Sequence, residues 1–119
     1  MTVHFNEQHL ERALLLDDAV RVCEKSPFFD ATVVEAKANG QTYRCLLGMY
    51  NHLNGENISL LDAFQHFGIT EDEHYTLFGC APVLSHRKMM VKAHIKHIEL
   101  VLREGRKNMP NLKNMSKGG

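Results

Sequence analysis

Leu84, Val91, Ile95, Ile98 and Leu102 follow one another at intervals of seven, four, three and four positions. That rhythm lays one apolar stripe along a helix and predicts a long C-terminal helix from Pro82 or Ser85 to Glu104 or Gly105. Met90, His94, His97 and Val101 form a second, softer stripe beside it, and Lys92, Lys96 and Arg103 lie well around from that stripe. The helix therefore has a core face, a mixed face and a basic face.

The segment "FNEQHLERALLLDDAVRVCEK" shows a similar period, with Leu10, Ala13, Leu14, Leu16, Val20 and Cys23 giving an apolar side. Asn6 is its expected N-cap, and Phe5 with Leu10 the expected hydrophobic staple. Pro27 disfavours a helical conformation at Ser26 and ends the helix there.

The period changes in "TVVEAKANGQTYRCLLG". Asn39-Gly40 is a preferred two-residue type I′ turn, and β-branched and aromatic residues flank it. Folding about it sets Ala38 opposite Gln41, Ala36 opposite Tyr43, Glu35 opposite Arg44 and Val34 opposite Cys45. One face then carries Val34, Ala36, Tyr43 and Cys45, and the other an opposite-charge pair.

After "MYNHLNGEN" two short helices are predicted, each with a capping box: Ser59 with Asp62, and Thr70 with Glu73. Gly68 and Gly79 stand where helices end. The fold class expected is α+β: an N-terminal helix, a β-hairpin about Asn39-Gly40, two short helices, and a long C-terminal helix packed on the hairpin. A lone hairpin is marginal, so helices must cover it or a homodimer must extend the sheet.

The chain of 119 residues fits one domain. Residues 1–107 are expected to form a single compact unit, with 108–119, rich in Asn, Lys and Gly, as a flexible basic tail. Three well-separated cysteines and no charged leader before an apolar stretch fit a reduced, cytoplasmic protein. No apolar run is long enough to cross a bilayer.

The net charge of zero conceals a polarity. Residues 1–85 carry five Lys or Arg against twelve carboxylates, and residues 86–119 carry nine against two. Such asymmetry points to a nucleic-acid or other polyanionic partner, or to an acidic part that neutralises the basic helix within the fold.

The short helix pair "SLLDAFQHFGITEDEHYTLFG" resembles a helix-turn-helix, with a glycine in the turn and a basic segment following. It departs from that motif at Phe64, where a small residue is preferred. It departs again at Glu71, Asp72 and Glu73, carboxylates that would face phosphates. In "SHRK", His86, Arg87 and Lys88 stand where the dipole of a helix starting at Ser85 disfavours cations. There they would make an anion site; if the helix starts at Pro82 they fall in its second turn and the anomaly disappears.

His86, His94 and His97 share one side of the helix, but no cysteine pair has zinc spacing, no HExxH occurs, and lysines adjoin. No metal and no cofactor are expected. Cys80 with His74 or His86 is the most that resembles a nucleophile and base, and neither a phosphate loop nor GxSxG is present. The expected function is a small non-enzymatic regulatory protein that contacts nucleic acid electrostatically through Arg87, Lys88, Lys92, Lys96 and Arg103. The alternative is a protein-binding adaptor or inhibitor that docks through the acidic N-terminal part or the C-terminal helix. Met90, His94, His97 and Val101 would then be its partner or dimer seam.

Overall fold

A computed structural model describes residues 4–118, with side chains for residues 4–105. The architecture is α+β: helix α1 (Glu7–Lys25), strands β1 (Ala36–Ala38) and β2 (Gln41–Tyr43), then helices α2 (Leu46–Asn54), α3 (Leu60–Phe67), α4 (Glu71–Phe78) and α5 (Leu84–Gly118). The expected flexible tail at 108–119 falls outside the residues whose side chains are described.

Helix starts follow the side chains that cap them. Asn6 accepts from the His9 amide, and the His9 ring accepts from the Asn6 amide, so histidine completes the α1 box. Thr70 and Glu73 form both halves of the α4 box. Ser59 accepts from the Asp62 amide and opens α3. Each such cap satisfies an amide that the helix cannot, and contributes about 1 kcal/mol.

The hairpin has the expected register, Ala36 with Tyr43, Lys37 with Thr42 and Ala38 with Gln41. Asn39 and Gly40 have φ of 54° and 78°, the left-handed pair a type I′ turn requires. Arg44 donates twice to Glu35, at 3.0 and 3.2 Å, on the outer face. Beyond that pair the chain bends, and the Cys45 amide donates to the Val33 carbonyl at 2.7 Å.

Helix α2 was not foreseen. Cys45 caps it with a thiol that accepts from the Gly48 amide at 3.5 Å, and Gly55 closes it at φ 62°. A Cβ on Gly48 would collide with the Val34 carbonyl, so glycine there lets α2 lie against the strand-entry backbone. Asn51 then exchanges two 3.0 Å hydrogen bonds with the backbone of Ile58 and closes the following loop.

The core lies where α1, α2, α3, α4 and α5 meet, around Leu16, Val20, Leu46, Leu47, Tyr50, Phe67, Leu77 and Val91. Burying each such side chain stabilises the fold by about 1.5–3 kcal/mol before entropy is counted. Helix α5 packs chiefly along α1 and α4, burying Val91 and Ile98. It reaches the base of the hairpin where the Arg87 guanidinium stands 5.6 Å over the Phe29 ring, and Phe29 is bridged to Arg44. No helix among the described residues is long and apolar enough to cross a membrane.

Candidate functional site

Helix α5 begins at Leu84, between the two starts the sequence allowed. Arg87 consequently sits at the end of its first turn, 1% exposed. Its guanidinium points back at α4, donating to the carbonyls of Leu77 and Gly79 at 2.6 and 2.8 Å, and to Pro82 at 2.7 Å. The cation that seemed misplaced at one helix N-terminus thus serves the C-terminus of the helix before it, where carbonyls lack partners. Arg87 is committed within the fold and offers no charge to an external anion.

Lys88 is partly engaged as well, 3.3 Å from Glu24 of α1. Lys92, Lys96 and Arg103 are exposed, and among the described residues none of them forms an ion pair. The expected five-residue basic surface is therefore reduced to these three, with Lys88 at its edge.

The softer stripe divides in the same way. His94 is buried, with Nε2 2.7 Å from the Phe67 carbonyl oxygen and Nδ1 3.2 Å from the Glu73 carboxylate. His97 is exposed and sets its ring edge against Phe5 at 5.4 Å, and Val101 is half-buried. Of the four, Met90 borders an open space between helices.

That space is a groove of about 620 Å³ between α4 and α5. Glu73, early in α4, meets His94, and Leu77, near its end, meets Arg87, so the two helices run antiparallel. Tyr75 and Thr76 form one wall, Met89, Met90 and Ala93 the other, and Pro82 closes the end. Met89 is 68% exposed and Tyr75 57%, unusual for large apolar side chains.

The rims carry opposite charge. Lys92 and Lys96 stand three and seven positions after Met89, hence beside it on α5. Glu71 and Asp72 stand four and three positions before Tyr75 on α4 and are exposed. Spacing alone gave Met90 but not Met89, because a helix wheel does not say which flank of the core stripe a neighbour covers.

Cys80 is exposed, and Cys23 and Cys45 are buried. Among the described residues no three His, Cys, Asp or Glu side chains are placed to hold a metal ion. In α3 and α4 the pair that resembled a helix-turn-helix presents Glu71 and Asp72 to solvent in the first turn of the second helix. Comparison with protein-family models, curated proteins and solved structures finds no match to this chain.

Proposed function

We propose that the chain is a small non-enzymatic protein-binding module, an adaptor or inhibitor, whose working face is the groove between α4 and α5. The observation that carries this reading is the exposure of Met89 and Tyr75 across an open apolar channel. Methionine side chains repack around irregular partners, and a channel between antiparallel helices suits a third helix. The occupant we assign is an amphipathic helix of a partner protein. Its apolar side enters between Tyr75 and Met89, acidic residues flank it toward Lys92 and Lys96, and basic ones toward Glu71 and Asp72.

The test is selection of helical peptides from a displayed library against the full chain, followed by amide-shift mapping of the winners. An apolar i, i+3, i+4, i+7 consensus with acidic and basic flanks, mapping to Tyr75, Met89 and Ala93, supports the assignment. No consensus, or shifts elsewhere, overturns it, and a concentration-dependent dimer that occludes the same amides would hand the groove to a second copy.

A second reading keeps a nucleic-acid partner, on the observation that Lys92, Lys96 and Arg103 are exposed and unpaired among the described residues. Three phosphate contacts give weak, sequence-independent affinity that falls with salt. Anisotropy of labelled duplex at two salt concentrations, with Lys92→Ala and Lys96→Ala, decides it: binding whose salt slope drops in the variants favours it, and no binding removes it.

A further inference from the structure

Apart from the groove, α1, α2, α3 and the turn after α2 enclose a polar pocket of about 260 Å³ that shares no lining residue with it. Tyr50, 1% exposed, forms its floor, its hydroxyl 2.9 Å from His66 Nε2. Arg12 is fixed at one side, donating to the His66 carbonyl at 3.0 Å and toward Gln8 at 3.5 Å. Glu11 and Glu56 complete the rim, and among the described residues neither has a cation within ion-pair distance.

Burial and the neighbouring Glu56 push the Tyr50 phenol up to about 12, so it stays neutral. Burial and Arg12 hold His66 below its ordinary value, so the ring is neutral near pH 7. With the ring proton on Nδ1 the imidazole accepts from the phenol, with it on Nε2 it donates to it, and in either tautomer the phenol oxygen keeps a lone pair for another donor. The pocket thus holds a neutral acceptor floor and two carboxylates with no cation against them. Its cation, Arg12, lines the same pocket, its guanidinium donating to the His66 carbonyl and toward Gln8 rather than to either carboxylate.

We propose that this pocket is a binding site for a small metabolite carrying a primary ammonium group, of the size of a diamine or a basic amino acid. The ammonium donates to the Tyr50 hydroxyl and to Glu11 and Glu56, charge-assisted bonds in a partly desolvated recess. A volume somewhat under the range typical of drug-sized ligands fits such a compact guest. A free carboxylate on the same guest would meet the remaining N–H groups of Arg12.

Amide-shift titrations of the full chain with putrescine and with L-lysine, at constant ionic strength, test this directly. Saturable shifts at Tyr50, Glu56 and His66 with either amine support the site, and both Glu11→Gln and Glu56→Gln should weaken binding about tenfold. Both substitutions are at exposed positions, so the fold survives them. Putrescine binding shows that the ammonium suffices, whereas lysine binding alone brings Arg12 into the site. The proposal is overturned if neither amine saturates, if both variants bind undiminished, or if tetramethylammonium gives the same shifts.

Discussion

His94 Nδ1 lies 3.2 Å from the Glu73 carboxylate in the interior, where α5 crosses the start of α4. The other ring nitrogen faces the Phe67 carbonyl oxygen at 2.7 Å, so both nitrogens of a buried imidazole address acceptors. Burial works against a charge on Glu73. The hydrogen bonds from His94 and Thr70 and the charge of His94 outweigh it, and the carboxyl falls to about 2.

A carboxyl whose folded value is depressed contributes stability above its unfolded value, near 4.5, and loses it as pH falls toward 2. Thermal melts between pH 6 and pH 2 should therefore fall steeply below pH 4.5. Glu73→Gln should flatten that limb and cost about 2 kcal/mol at neutral pH. A variant with the same acid limb as the parent would show that other carboxylates govern it.

Arg87 should be among the most sensitive positions in the chain, although it reads as a surface cation. Replacing it with Met keeps much of the volume but strands the Leu77, Gly79 and Pro82 carbonyls. A loss of about 3 kcal/mol is expected in denaturant unfolding, and Arg87→Lys should recover only part of it because an ammonium cannot reach three diverging acceptors. By contrast Lys92→Ala and Lys96→Ala should change stability by less than about 0.5 kcal/mol.

The cysteines should separate into one fast and two slow thiols. Cys80 is exposed, whereas burial and the adjacent Cys45 push the Cys23 thiol up to about 12 and remove its thiolate. A chromogenic disulfide reagent should titrate Cys80 in the native protein and Cys23 and Cys45 only with unfolding. Fast reaction at all three in native buffer would contradict the burial described.

Gly48→Ala tests the close approach of α2 to the chain before β1. In an ordinary helix interior that change stabilises by up to about 1 kcal/mol. Here the added methyl meets the Val34 carbonyl, so the sign should reverse and the melting temperature should drop. The same substitution at Gly105, where a Cβ meets nothing within 4 Å, is the control and should stabilise or be neutral.

What the sequence disclosed follows from how local each signal is. Asn39-Gly40 dictates its turn from two residues, and Glu35 with Arg44 lies only a few positions outward. Thr70 and Glu73 declare a helix start within one turn. Helix α2 escaped because its cap is a cysteine, its interior carries a glycine, and six consecutive residues from Cys45 to Tyr50 are buried, which erases any amphipathic period. Arg87 and His94 were misplaced for a different reason. Their partners are main-chain carbonyls ten and twenty-seven residues away, and a carbonyl leaves no mark in the sequence. The Tyr50 and His66 pocket gathers residues from three helices and is equally hidden, while Met89 adjoins Met90 of the softer stripe.

The last turn of α3 is held from both α1 and α5, Arg12 taking the carbonyl of His66 and His94 that of Phe67. During synthesis, Arg12 leaves the ribosome before His94. Until then α1 has no α5 to lie against, and Leu16, Val20 and Cys23 have only part of their cover. The segment from α1 to α4 therefore cannot complete this core before α5 is made, and a form cut before α5 would leave that apolar surface open to aggregation.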